Sequence, residues 1–291
     1  MSGTHPDGAL RRERAMFLKK LYRVFRDAVF PARCMCCRSL FIRDEEKHGL
    51  PGVPMAEEQC EPAFHRLLSP FLCENCLPEF QAIESPLCPR CGMMFRERVS
   101  DDHLCGDCLT GSGHVGFARA MGVYERSLMH VIRAFKYRGK TQLAKPLGRM
   151  LFHLYARCYG EKTGMRKPPD LIMPVPLHKK RFRERGFNQA YLLVREWPGL
   201  YPLAHAESPR VTRDGFVRKR WTRPQAGLDR KDRRANIKGA FALSPTCDVQ
   251  GKRILLVDDV YTTGATAEEC ARVLLNGGAS EIDILTLSRT M

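Results

Sequence analysis

Three features of the 291-residue chain predict an α/β protein: a parallel sheet flanked by helices, preceded by a small cysteine-rich zinc domain. From about residue 116 onward, apolar runs alternate between strand-like and helix-like spacing with short joins, the pattern of a parallel sheet covered by helices. Ahead of that point, four Cys-x-x-Cys pairs crowd into residues 34–108. Within the later part, the stretch "ILLVDDVYTTGAT" (254–266) runs an apolar strand into two adjacent aspartates and a threonine- and glycine-rich turn.

Residues 1–33 read as a basic tail and an amphipathic helix. Over 15–30, Phe17/Leu18, Leu21/Tyr22, Phe25 and Val29 recur at helical spacing, with Lys19, Lys20, Arg23 and Arg26 over the rest. The plain reading is a helix packed on the cysteine module; an arm for a membrane surface or for nucleic acid is the alternative. That module, the zinc-ribbon domain, spans 34–112. Its pairs are Cys34/Cys37, Cys73/Cys76, Cys88/Cys91 and Cys105/Cys108. Two thiolates three residues apart on a tight turn can clip one Zn²⁺, and two clips complete a tetrahedron. "CPRCG" at 88–92 places Pro inside the knuckle and Gly after it. Sequential pairing, first clip with second and third with fourth, is the simplest; first with third is the alternative. Residues 38–72 between the first two clips read as an inserted loop, helped by "HGLPGVP" at 48–54. Cys60, Cys158, Cys247 and Cys270 are isolated and read as core or surface thiols. His103 and His114 read as bystanders.

Composition agrees. No apolar run approaches the roughly 20 residues of a membrane span. The first 33 residues lack the apolar core of a secretory signal. A cytoplasmic location is therefore expected, where 13 cysteines point to metal rather than disulfides. The net charge of +16 favours polyanionic partners: nucleic acid, phosphorylated small molecules or acidic lipid.

The remaining elements follow in order through 116–291. Leu128, Val131/Ile132 and Phe135 mark a helix that "KYRGK" breaks. Leu143, Leu147, Met150/Leu151 and Leu154/Tyr155 mark a second, ending near Gly160. "DLIMPVP" (170–176) reads as a short buried strand and "NQAYLLVREW" (188–197) as a helix. "GKRILLVDD" and "EIDILTLS" read as strands, with a helix from Ala267 to Asn276 between them, closed by Gly277 and Gly278. Ligands of such sheets bind at the carboxyl ends of strands. Asp258 and Asp259 fall there, and Tyr261–Thr266 turn into the next helix. Small residues at a helix N-terminus expose N–H groups to an anion, and threonine hydroxyls add donors. Carboxylates beside a phosphate need a different partner, and ribose hydroxyls or Mg²⁺ both suit them. These residue types suggest a ribose 5-phosphate. The plainer reading is that Asp259 and Thr262 cap a turn and a helix.

At these residues the chain resembles the type I phosphoribosyltransferases. "LLVDDVYTTGAT" has the form of their signature, in which the acidic pair contacts the ribose hydroxyls of phosphoribosyl pyrophosphate (PRPP) and the loop holds its 5-phosphate. Carried over, Asp258 and Asp259 are the acidic pair, and Thr262, Thr263, Gly264, Ala265 and Thr266 are the phosphate loop. "PVPLHKKRFRERGFNQA" (174–190), "RPQAGLDRKDRRANIKGAF" (223–241) and the cysteine clips together resemble the ComF family over roughly 16–290. Members of that family are associated with bacterial competence and DNA uptake. The insertion at 38–72 and the tail at 1–14 depart from its compact pattern.

The resemblance implies a pyrophosphate loop from Pro176 to Arg185, involving Leu177, His178, Lys179, Lys180, Arg181 and Arg185. It implies a flexible loop or hood over 218–238, where Arg220, Thr222, Arg223, Gln225, Arg230, Arg234 and Asn236 are of interest. Charge agrees with both, although any single Arg also reads as a solvated surface charge. Transfer from PRPP needs positioning, Mg²⁺ and cations on the leaving group more than proton chemistry. No acceptor is evident. The first cysteine is Cys34, so a complete glutamine-using amidotransferase is not expected. A competing reading is a single-stranded DNA-binding zinc protein on a transferase fold, using the basic segments and the interleaved Tyr137, Phe182, Phe187 and Trp221. A third is a zinc-stabilised scaffold. DNA-uptake proteins as partners rest on the resemblance alone.

Overall fold

Five parallel strands build the central sheet of the computed structural model, which describes residues 18, 21, 25, 29, 31–42, 59–95, 101–111, 113–160, 166–200, 209–223 and 229–291. The strands are β3 (Phe117–Val123), β4 (Leu171–Pro174), β5 (Arg210–Val211), β8 (Arg253–Tyr261) and β9 (Glu281–Arg289). Their order is β3-β9-β8-β4-β5. The central β8 is apolar without a break from Ile254 to Val257 because both of its faces are covered there. Leu255, Val257, Leu285 and Leu287 point into one core cluster, with α3 (Arg126–Tyr137), α4 (Ala144–Tyr159) and α6 (Gln189–Val194). Ile254, Leu256, Ile282 and Ile284 point to the other, with α8 (Ala265–Asn276). This is strand alternation sorting one apolar sequence onto two helical layers.

Beside the sheet, β6 (Phe216–Arg218) and β7 (Phe241–Leu243) pair antiparallel. They close the base of a long excursion that contains α7 (Arg230–Ile237). The segment predicted to be a flexible hood is therefore anchored at both ends and partly helical. Gln225 lies outside the described residues, as does the side chain of Arg230. The pyrophosphate segment is likewise not all loop: a turn through Pro176 and Leu177 leads into α5 (Lys179–Arg185). His178 caps α5 by accepting from the Lys180 amide at 3.2 Å, and Gly186 ends it at φ +82°.

The cysteine-rich part holds β1 (Ala32–Arg33), β2 (Leu40–Phe41), α1 (Cys60–Leu68) and α2 (Gly106–Thr110). The predicted inserted loop 38–72 thus carries a short strand and a helix; "HGLPGVP" lies outside the described residues. Helix α1 buries Ala63, Phe64 and Leu68 and packs against α4. Phe64 stacks on Phe80 at 4.1 Å, and both join the cluster that backs the sheet. One apolar core therefore runs from the first cysteine clip into the sheet layer. Leu18, Leu21, Phe25 and Val29 are helical, as their spacing predicts, but they are 50–66% exposed. Among the described residues, it is α1 that packs with the cysteine module, through Phe64 and Leu68 beside Cys34, Cys73 and Cys76.

Candidate functional site

The acidic pair belongs to β8 itself, not to the turn beyond it. Pairing with β9 continues to Tyr261↔Arg289. Asp259 is buried, and its Oδ1 lies 2.8 Å from Lys136 Nζ in the last turn of α3. Its Oδ2 is buried without a hydrogen-bond partner. Asp258 Oδ1 accepts from the Asp259 amide at 2.8 Å. Burial, and then the neighbouring Asp259 charge, push the Asp258 carboxyl up to about 7. Burial would pull Lys136 down, but Asp259 and Asp258 outweigh it and hold its ammonium above the ordinary value. Sequence reasoning missed Lys136, taking "KYRGK" only as a helix stop.

After Tyr261 the chain turns through Thr262 and Thr263, and Gly264 adopts φ +75° before α8 begins. A Cβ at this position would strike the Tyr261 hydroxyl, so glycine is required for space as well as conformation. Helix α8 starts at Ala265, two residues earlier than predicted. Ala265 and Thr266 thus belong to its first turn.

These elements meet in one cleft of about 760 Å³. Asp258, Asp259, Thr262, Gly264, Ala265 and Thr266 line one side. Leu177, Arg181, Arg185 and Arg223 also line it, with Tyr137 from the aromatic set, along with Arg133, Lys136, Gln189, Arg218 and Arg233, which were not anticipated. Cations outnumber the two carboxylates, so the cleft attracts anions. Arg181 and Arg185 share a face of α5 at helical spacing. Arg185 sits 5.3 Å from the Tyr137 ring centroid and donates to Gln189 Oε1.

Other predicted site residues serve as braces. His178, Lys180 and Arg181 surround the Trp221 ring at 5.5, 4.8 and 5.4 Å, which pins α5 to the segment after β6. Arg220 donates to the Asn236 and Lys238 carbonyls at 2.8 and 2.6 Å. The Asn236 amide exchanges two hydrogen bonds with the Arg223 backbone at 3.2 and 3.0 Å. Thr222 is buried and accepts from Arg218. Lys179 is exposed outside the cleft lining. Thr263 and Arg234 face a second cavity instead, behind the turn. Of the aromatic residues offered for base stacking, Phe187 is committed to the core, where it stacks on Phe135 at 5.6 Å. Tyr137 and Phe182 are exposed.

The cysteines gather as the sequential pairing predicts. Cys34, Cys37, Cys73 and Cys76 bring their sulfurs within 4.8 Å of one another, and so do Cys88, Cys91, Cys105 and Cys108. The Cys37–Cys73 and Cys91–Cys105 sulfur separations are both 3.6 Å. Thiolates about 2.3 Å from a tetrahedral zinc lie about 3.8 Å apart, so both donor sets fit a structural Zn²⁺. The Cys36 and Cys73 amides point at Cys34 Sγ, both at 3.4 Å, and the Cys91 amide at Cys88 Sγ at 3.5 Å. Such outer hydrogen bonds orient the ligands. His103 stacks on Phe95 and His114 meets Glu268 at 3.3 Å, so neither joins a donor set. Cys60, Cys158 and Cys270 are buried thiols, and Cys247 is partly exposed.

Residues 202–291 match the phosphoribosyl transferase domain model, and residues 66–109 match the double zinc ribbon domain model. The latter leaves Cys34 and Cys37 outside its span. The DNA utilization protein YhgH of Escherichia coli O6:H1 is 33% identical over 209 residues, covering 72% of this chain and 86% of the relative. Competence protein F of Haemophilus influenzae is 31% identical over 219 residues, covering 75% and 90%. Competence protein ComFC of Bacillus subtilis is 27% identical over 267 residues, covering 88% and 95%. No helix among the described residues is long and apolar enough to cross a membrane.

Proposed function

This chain belongs to the ComF family, and on that premise we propose that its cleft binds PRPP with Mg²⁺, in a cytoplasmic protein that serves competence and DNA uptake. The carrying observation is convergence: one cleft holds the acidic pair, the turn before α8, and cations from both basic segments. In this reading Asp258 and Asp259 accept the ribose hydroxyls or meet the metal. The first amides of α8 and the hydroxyls of Thr262 and Thr266 hold the 5-phosphate. Arg181, Arg185 and Arg223 take the pyrophosphate, and Mg²⁺, when bound, neutralises its charge. Residues 34–112 form the ribbon unit and 116–291 the transferase-type domain, behind a basic tail and helix at 1–33.

The test is calorimetric titration with Mg²⁺–PRPP of the wild type and of Asp258→Asn/Asp259→Asn. Binding by the wild type and its loss in the double variant are expected. A wild type that takes up no PRPP sinks the assignment. Single-stranded DNA is a second candidate ligand, favoured by exposed Tyr137 and Phe182 beside the cations of α5. Adding it as a competitor shows whether the two ligands share the basic wall, and a steep salt dependence marks phosphate contacts.

A further inference from the structure

We infer that the second zinc ribbon is a working part of the ribose-phosphate site, with Arg289 as the positioning residue that connects them. The inference rests on the reading of the 262–266 turn given above. Arg289 ends β9 and is only 6% exposed. It donates to the carbonyl of Cys91, a member of the second donor set, and its other terminal nitrogen lies 3.8 Å from Cys91 Sγ. Its guanidinium carbon sits 4.8 Å from the ring centroid of Tyr261, its register partner on β8. The Tyr261 hydroxyl in turn fills the space beside Gly264. Zinc ligand, arginine, tyrosine and glycine thus stand in direct succession.

A second link reaches the other side of the turn. Arg90, inside the same knuckle, donates to the carbonyls of Val115 at 3.2 Å, Gly111 at 3.1 Å and Gly113. The segment it holds is tied to the first turn of α8, where Glu268 accepts from the His114 amide at 2.6 Å. Between the two links lies a cavity of about 530 Å³, lined by Cys91, Cys108, Tyr261, Thr263, Glu268 and Arg289. Val115 and Ala265 share an apolar cluster beside this seam, and the Arg90 carbonyl accepts from the Ala118 amide at 2.8 Å, so the two polar links act on a knuckle already seated against the sheet. The first donor set has a different setting: Cys34, Cys73 and Cys76 are embedded with Phe64, Leu68 and Leu72 in the main core.

The consequence is that zinc at the second site, not merely a folded domain, holds the turn in its binding form. Metal binding fixes a knuckle that is otherwise free to rearrange, and outer partners of a metal site change affinity by about tenfold or more when removed. The test uses the full chain and the variants Arg289→Met, Arg289→Lys, Cys108→Ser and Arg166→Met. The last removes the Arg166–Asp283 pair (2.9 Å) near the opposite end of β9 and serves as the stability control. Zinc content, hydrogen exchange of the 262–268 amides and Mg²⁺–PRPP affinity are measured on each.

Arg289→Met is expected to keep both zinc ions yet exchange faster over 262–268 and bind PRPP about tenfold more weakly. Arg289→Lys, which keeps the charge but loses the planar fork, should fall between it and the wild type. Cys108→Ser should lose one zinc ion and match Arg289→Met. Arg166→Met should melt earlier with wild-type exchange at the turn and wild-type affinity. Unchanged exchange at 262–268 in both Arg289→Met and Cys108→Ser overturns the inference, as does an equal change in Arg166→Met. Exchange needs no ligand, so it decides the coupling even where the wild type binds no PRPP, a result that counts only against the ligand assignment.

Discussion

Replacing Lys136 by Met leaves the acidic pair without its internal cation. The side chains of Lys136 and Asp259 are 14% and 4% exposed and their charged atoms are 2.8 Å apart. At an effective dielectric constant of about 20 that separation corresponds to about 6 kcal/mol of attraction. Part of it is offset because Lys136 no longer has to be desolvated. Removing one partner of a buried pair costs about 3–5 kcal/mol, chiefly the stranded charge of the other. Met preserves most of the stem, so little packing is lost. A loss of this size should lower the melting temperature by about 10 °C. The assay is urea unfolding at pH 8, with Lys136→Met/Asp259→Asn as the second arm of a cycle. The double variant strands no charge at 259 and should recover about 2 kcal/mol of the loss. The pH dependence has a definite sign. Without Lys136, the Asp258 carboxyl, already raised by burial and by Asp259, loses the cation that opposes that rise and is held higher still. The penalty is then full above that folded value and disappears as pH falls to the ordinary carboxylate range. A single variant within about 1 kcal/mol of wild type, with no pH-dependent difference, would refute the pair as the support of the acidic site.

Three further outcomes follow from the same geometry. Asp258 is raised to about 7, so the ligand-free protein should lose stability as pH rises from about 4 to 7, where the native state holds a proton the unfolded chain releases. If the ionised form takes the ligand, Mg²⁺–PRPP affinity should fall by up to about tenfold per unit below pH 7, and calorimetry on Asp258→Asn should show that slope removed. Gly264→Ala puts a methyl group against the Tyr261 hydroxyl at φ +75°; it should cost about 1–3 kcal/mol in urea unfolding and abolish PRPP binding. Metal analysis should find two zinc ions per chain, and stripping them should lower the melting temperature, because Cys34, Cys73 and Cys76 are part of the main core.

What was legible in the sequence was local. The apolar runs of β8 and β9 and the periodic helices α3, α4 and α8 declare themselves within a dozen residues. The aspartates and the turn they feed are adjacent in the chain, so their shared chemistry could be read directly. Strand β3 escaped because Arg119 and Gly122 interrupt its apolar run; Arg119 is nevertheless buried, its guanidinium 4.1 Å from the Phe117 ring centroid. Helix α1 escaped because a glycine- and proline-rich stretch precedes it, although Ala63, Phe64 and Leu68 carry helical spacing. Taken as a loop, the basic run 179–185 makes every cation equivalent. As a helix it presents Arg181 and Arg185 to the cleft, an inference the i, i+4 spacing would have allowed.

The distribution of charge explains why counting cations could not locate the site's chemistry. Burial, and then the charge of the adjacent carboxylate, disfavour ionisation at this strand end, which is why Asp258 is displaced toward neutrality. An acidic pair that is to accept hydroxyls or a metal therefore needs a nearby cation merely to remain acidic. Lys136 provides it from beneath, at 2.8 Å from Asp259. Arg181, Arg185 and Arg223 line the open cleft, where an arriving anion can displace water from them. Arg220 does neither, since its guanidinium is committed to the carbonyls of Asn236 and Lys238. One residue class thus does three kinds of work within one loop cluster. The distinction between them is made by which atom lies within 3 Å, and that is set by α3, α5 and the β6–β7 pair rather than by the density of Lys and Arg along the chain.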